Sequence, residues 1–191
     1  MPSVPTSGSV PPPPPPPVWD ARPPETAVHY AGFWIRVVAA IVDGIALWIV
    51  WSIILFVLPA ESTAPLPENP DLEALVEYAN SLVSPQQVII YALIVWAYFA
   101  FQESSSAQAT LGKRMLGIRV STENGERLSL VTASLRAWPI YLPSLAALAG
   151  TGFSSLVGLI ALVSCIAVAF SARKQGLHDK MAGALLTRRQ A

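Results

Sequence analysis

Two ionisable residues stand inside the first long apolar run of the chain, Arg36 and Asp43. Seven positions apart, at about 100° per residue, they fall on nearly one face of a helix. At 1.5 Å per residue they are separated by about 10 Å along its axis. A long arginine near a helix end can snorkel to the interface. A short aspartate two turns deeper cannot, and a central Asp costs roughly 2.5–3.5 kcal/mol on an insertion scale. That cost calls for a partner, a proton or an ion, and ionisable groups at membrane depth mark functional sites by default. A polar clamp that fixes helix packing would serve equally well.

Other chemical motifs are weaker. Gly112-Lys113 hints at a phosphate loop, but the motif needs Gly at 107 and Ser or Thr at 114, and the chain has Ala107 and Arg114. Lys113 and Arg114 are instead expected at anionic headgroups. His178-Asp179 lacks companions, because His29 is the other histidine in the chain; a His-built metal centre is not expected. Ser171-x-x-Lys174 lacks the partner motifs of the lactamase type. Cys165 is the one cysteine, which rules out a disulfide framework and reads as a packing residue. No nucleophile–base pair can be placed, so neither an enzyme nor a cofactor is expected.

The elements that must position these residues are membrane helices. Charged residues make up 13% of the chain, against about 25% in soluble domains, and they lie between long apolar blocks. We expect an all-α membrane protein, a bundle of about four transmembrane helices over residues 32–58, 85–104, 131–149 and 153–171. Ser84 is the expected cap of the second. Pro139, Pro143 and the break at Gly150-Thr151-Gly152 divide the last block. Between Pro59 and Ser84, Asn69-Pro70 looks like a helix start, and Leu72, Leu75, Val76, Ala79, Leu82 and Val83 recur at helical spacing. This predicts an amphipathic surface helix. Ile118 and Val120, then Leu128 and Leu130, alternate on either side of Asn124-Gly125, which predicts a small β-hairpin.

Residues 1–30 hold the proline run Pro11 to Pro17. They are expected to form a disordered, extended tail, with docking to a Pro-rich-motif reader as the functional alternative. No basic residue precedes Arg22, so a cleaved signal is not expected and the first helix should serve as the anchor. Arg22, Arg36, Lys113, Arg114, Arg119, Arg127, Arg136, Arg173, Lys174, Lys180, Arg188 and Arg189 all avoid the loop from Pro59 to Ser84, which carries only acids. Basic loops stay in the cytoplasm. Both termini, 188–191 included, and the hairpin are therefore expected inside a bacterial cytoplasmic membrane.

Three stretches carry a resemblance. They are Gly32-Phe33-Trp34-Ile35-Arg36 with Asp43, Gln108-Ala109-Thr110-Leu111-Gly112-Lys113-Arg114-Met115-Leu116-Gly117-Ile118-Arg119-Val120, and Gln175-Gly176-Leu177-His178-Asp179-Lys180-Met181-Ala182-Gly183. In this order the chain resembles the RDD family of bacterial membrane proteins over residues 31–187. The resemblance implies Arg36, Asp43 and Asp179 as signature residues, with His178, Gln108, Lys113 and Arg114 in support, and it implies transport. Physics adds that Arg36 and Asp179, at helix ends of equal depth, should pair and close the bundle, leaving Asp43 free for a proton or cation. Two functions follow: a small transporter or transporter subunit built on Asp43, needing an oligomer, or a scaffold that recruits proteins through its tail and cytoplasmic face. The bilayer is the expected partner of either, and nucleic acid of neither.

Overall fold

The computed structural model describes residues 29–57, 68 and 71–188. The proline-rich tail, the Asn69-Pro70 helix start and residues 189–191 lie outside these.

Among the described residues, three helices are long and apolar enough to cross a membrane: α1 (Phe33–Val57), α3 (Pro85–Ser104) and α7 (Thr151–Phe170). In α1 the buried residues are Ala39, Asp43 and Leu47, four apart, so one narrow stripe faces protein. Trp48, Ile53 and Phe56 stand exposed on the remaining surface, as expected where the surrounding solvent is lipid. Helix α3 starts as its sequence predicts. Ser84 Oγ accepts from Gln87 N–H, Gln87 Oε1 accepts from Ser84 N–H at 2.9 Å, and Pro85 fills the first turn.

The expected span 131–149 is broken. Helix α5 (Leu130–Arg136), capped by Ser129, ends at Ala137, and α6 (Trp138–Ala146) begins at once with Pro139 in its first turn. Proline supplies no N–H to continue a helix. Helix α6 and the 3₁₀ turn Ala147–Ala149 together rise only about 20 Å, short of the roughly 30 Å hydrocarbon core. They pack against α7 and α3. Gly150, at φ 113°, makes the turn into α7.

The surface helix α2 (Leu72–Ser81) has Asp71 at its cap, where Asp71 Oδ1 accepts from Ala74 N–H at 2.8 Å. Leu72, Leu75 and Val76 are exposed.

A small two-stranded antiparallel sheet is present, but not with the predicted partner. Strand β1 (Ile118–Thr122) pairs with β2 (Ala184–Arg188), Val120 opposite Leu186. The Asn124-Gly125 turn forms, with Gly125 N–H donating to the Thr122 carbonyl at 3.0 Å. The returning chain then departs, because Ser129 caps α5 and Leu128 is buried in the core beside Ala133. The run Ala184-Leu185-Leu186 is buried throughout and offers β1 a longer apolar partner. On its other edge, β2 takes Ala31 N–H on the Leu186 carbonyl at 2.8 Å, which ties the start of α1 to the sheet. Helix α4 (Leu111–Met115) packs against α1 and β1, and α8 (Leu177–Met181) against α5, α7 and β2.

Candidate functional site

At the sheet end of the bundle the sequence brings five charged side chains into one buried chain. Arg36, in the first turn of α1, places Nη1 2.6 Å from Asp179 Oδ2 on α8. Arg136, in the last turn of α5, places Nε 2.8 Å from Asp179 Oδ1 and Nη1 2.5 Å from Glu103 Oε2. Lys113, on α4, closes the series on Glu103 Oε1 and lies over the Phe99 ring, 5.2 Å from its centroid. Glu103 and Asp179 are fully buried. Buried charges persist only when paired and hydrogen-bonded. Arg36 meets the rest of that demand with its Nε on the Ala31 carbonyl at 2.9 Å and Nη2 on the Lys174 carbonyl. Gly176 N–H adds a bond to Asp179 Oδ2 at 3.1 Å.

Asp43 forms a second knot beside the first. Its Oδ1 accepts from the Tyr98 hydroxyl and from Gly112 N–H, each at 2.7 Å, and its Oδ2 accepts from the Thr110 hydroxyl at 2.6 Å. It is thus not the open carboxylate expected from sequence, but the point at which α4 is fastened to α1.

His178 sits behind Asp179. Its Nδ1 lies 2.9 Å from Ser164 Oγ, its backbone N–H donates to the same oxygen at 3.0 Å, and its Nε2 lies 3.3 Å from Asp179 Oδ1. Ser164 is fully buried and anchors α8 on α7. Burial and the nearby Arg136, Arg36 and Lys113 push the His178 ring down to about 4, against the pull of Asp179. Burial alone would raise Asp179, but Arg136 and Arg36 outweigh it and hold the carboxyl well below the usual range. Burial also lowers the Lys113 ammonium, with Glu103 opposing.

The signs of the first two agree. A histidine kept neutral in the fold but protonated when unfolded contributes stability above its ordinary value of 6.5, lost as pH falls towards 4. The depressed aspartate contributes stability that is lost at lower pH still. The melting midpoint of purified protein should therefore fall steadily as pH drops from 7 to 4. His178→Asn should flatten the fall between 6.5 and 4, and an unchanged slope in that variant would remove His178 from the account.

Of the sequence-predicted residues, Arg36, Asp179, His178 and Lys113 meet here. The expectation that Lys113 reaches lipid headgroups is corrected by its burial on Glu103, since an ammonium next to a buried carboxylate does better paired than solvated. Arg114, the next residue of α4, is exposed. Gln108 is buried at φ 52°, and its carbonyl accepts from Val120 N–H at 2.7 Å, so it shapes the turn into α4. Sequence reasoning missed Glu103, and it counted Arg136 only among the loop cations. An acid closing an apolar helix and an arginine opening an apolar block were the available signals. Among the described residues, no group of His, Cys, Asp or Glu gathers to hold a metal ion.

Two cavities flank this arrangement. One of about 200 Å³ lies between α1, α6 and α7 and is reached by Arg36, Asp43, Lys113 and Arg136. Another, of about 680 Å³, lies at the far end of the same helices, among Trp51, Gln87, Tyr91, Ser144 and Thr151. Leu47 of α1, Val95 and Phe99 of α3 and Ala137, between α5 and α6, form an apolar cluster, with Tyr91, Tyr98 and Tyr141 packed against it.

The model of the RDD family matches residues 30–183. The uncharacterized protein YxaI of Bacillus subtilis is 34% identical over 153 residues, covering 78% of this chain and 91% of its own. YckC, another uncharacterized protein of that organism, is 29% identical, over 82% of this chain and 83% of its own. The uncharacterized membrane protein YteJ, also of B. subtilis, is 30% identical, over 80% and 77%. No solved structure matches the chain.

Proposed function

The chain belongs to the RDD family, and on that premise we propose that it is a small ion or solute transporter, or a subunit of one, with the buried charge chain as its cytoplasmic closure. The observation that carries this reading is the pair of cavities at opposite ends of the same helices, with an apolar cluster among those helices and a charge chain at the inner cavity. A pathway closed at its middle has that form. The absence of Lys and Arg from the loop between α1 and α3 supports an inward sheet end, with both termini in the cytoplasm and α5–α6 serving as a bent fourth crossing. Four helices make a thin pathway, so we expect two or more copies to assemble. No catalytic role is assigned.

Asp43 is the coupling group in this reading. Two of its three donors are hydroxyls, Tyr98 and Thr110. When these rotate, the carboxylate and both hydroxyl oxygens become hard donors of the kind that hold a small cation. In inverted membrane vesicles we expect a sodium- or potassium-dependent pH change that falls to the level of empty vesicles in Asp43→Asn at matched expression. Asparagine keeps an acceptor for Gly112 N–H, so the variant should still fold. Wild-type vesicles indistinguishable from empty ones across several cations would sink monovalent cation–proton exchange.

A scaffold is the second reading, favoured by the saturation of Asp43 with three protein donors. There Asp43→Asn changes stability or assembly, and deletion of residues 1–30 abolishes partner recruitment.

A further inference from the structure

The outer face of the two-stranded sheet carries a polar pocket that the transport reading does not use. Ile118, Val120, Ala184 and Leu186 belong to the core. Alternation along the strands therefore puts Arg119 and Ser121 of β1 on the opposite face, across from Thr187 and Leu185 of β2. A cavity of about 420 Å³ opens there, and among the described residues Leu185 is the one aliphatic side chain that lines it. Gln108 lines it too. Its carbonyl accepts from Val120 N–H, which lays it along the edge of β1 that β2 leaves open. Its φ of 52° is a conformation that a residue with a side chain adopts only where the surroundings enforce it.

Gln108 and Ser121 are 7% and 8% exposed. Polar side chains buried this far are nearly always hydrogen-bonded. Among the described residues these two make no side-chain hydrogen bond, and neither is sealed inside the protein, so amide and hydroxyl open on the pocket. Charge points the same way. Arg173, also in the lining, is answered by Glu123 at 2.8 Å. Arg119 is exposed, lines the pocket and has no acid within ion-pair reach among the described residues. A guanidinium fork, an amide and a hydroxyl thus share one pocket, with one positive charge unanswered.

We propose that this pocket binds a phosphate monoester, with the Arg119 fork on two of its oxygens and Gln108 and Ser121 donating to the others. A planar carboxylate is occupied by the fork, whereas a tetrahedral phosphate keeps oxygens outside the fork's plane for the amide and the hydroxyl. A cation would meet Arg119. The ester can be soluble or carried on a lipid. Arg173 stands three residues beyond Phe170, the end of α7, so the pocket reaches within about 10 Å of that apolar span. Occupancy is independent of whether the bundle moves cations.

The full chain is to be melted in phosphatidylcholine nanodiscs, followed by tryptophan fluorescence, with sodium acetate holding the ionic strength constant. Glycerol 1-phosphate then replaces part of the acetate, or phosphatidic acid replaces part of the phosphatidylcholine. The two present the same monoester, free and lipid-borne. A ligand of the folded form at about ten times its dissociation constant raises the midpoint of a chain of this length by roughly 3–6 °C. We expect such a rise with at least one of the two, abolished in Arg119→Gln, reduced in Ser121→Ala and retained in Arg114→Gln. Because Arg119 is exposed and unpaired, Arg119→Gln should melt like wild type in acetate and phosphatidylcholine alone. A rise with glycerol 1-phosphate identifies a soluble ester as sufficient, and a rise with phosphatidic acid alone identifies a lipid headgroup. Midpoints no higher than in acetate with either one would overturn the site. So would a rise that persists in Arg119→Gln, keeps its full size in Ser121→Ala, or is lost in Arg114→Gln as well.

Discussion

Replacing Arg136 with glutamine should cost the folded protein roughly 3–5 kcal/mol, the usual consequence of removing one partner from a buried ion pair. With a total stability of about 5–15 kcal/mol, that is a large part of what holds a domain together. The guanidinium is the joint between two otherwise separate pairs. Its Nη1 serves both oxygens of Glu103, at 2.7 and 2.5 Å, and its Nε serves Asp179 at 2.8 Å. Without it, Glu103 keeps only Lys113, and Asp179 loses its bond to α5. Both acids are fully buried, so neither can turn to water for compensation. Melting of purified protein in mild detergent should show a large drop in midpoint, and the amount of folded protein in membranes should fall with it. Arg136→Lys should fall between wild type and Arg136→Gln, because an ammonium keeps the charge but lacks the planar fork that reaches both carboxylates. Arg114→Gln, a change at an exposed cation on α4, should lie within about 0.5 kcal/mol of wild type. If Arg136→Gln melts like Arg114→Gln, the chain of charges does not hold the sheet end together.

That contrast also shows what was legible in the sequence. The long apolar runs announced α1, α3 and α7, because the span length of a bilayer is a one-dimensional property that a sequence can carry. Ser84 announced the start of α3 for the same reason: a cap is local. The opposite charges of Arg36 and Asp179, at the ends of apolar runs, were enough to anticipate that they meet. The partner of β1 was not local. Asn124-Gly125 makes the turn it suggests, yet β1 pairs with residues more than sixty positions later, whose buried Ala184-Leu185-Leu186 run outcompetes two alternating leucines. Glu103 and Arg136 were illegible as a pair, since nothing in their spacing says that the end of α3 and the end of α5 converge. Lys113 and Arg114 are adjacent and alike in sequence, but the step of about 100° between neighbours on a helix sends one inward and the other to the surface. Tyr98 and Thr110 are two further residues whose role appears only once Asp43 is seen between them.

Gly112→Ala should be nearly as damaging, for a reason of space rather than charge. The backbone of Gly112 lies so close to α1 that a Cβ would fall on the Ala39 carbonyl oxygen and come within 3.0 Å of Asp43 Oδ1. The first is backbone within a 25-residue helix and cannot step aside without bending it. Helix α4 must retreat instead. The retreat stretches the 2.7 Å bond from Gly112 N–H to Asp43 and the 2.6 Å bond from Thr110, both made to the same carboxylate. Overpacking of this kind costs about 1–3 kcal/mol, and each hydrogen bond to a charged group contributes about 1.5–3 kcal/mol. A loss of roughly 3 kcal/mol or more is therefore expected, read as a lowered melting midpoint. The Lys113–Glu103 pair should loosen with it, because Lys113 is carried on the same turn. Gly44→Ala is the matched control. It is the glycine next to Asp43 in α1, but it is exposed and a Cβ there meets nothing within 4 Å. Alanine costs less than glycine in a helix interior by about 0.5–1 kcal/mol, so Gly44→Ala should be neutral or slightly stabilising. If the two alanine variants melt alike, α4 does not sit on α1 at this distance, and Asp43 is not the fastening that its three hydrogen bonds describe.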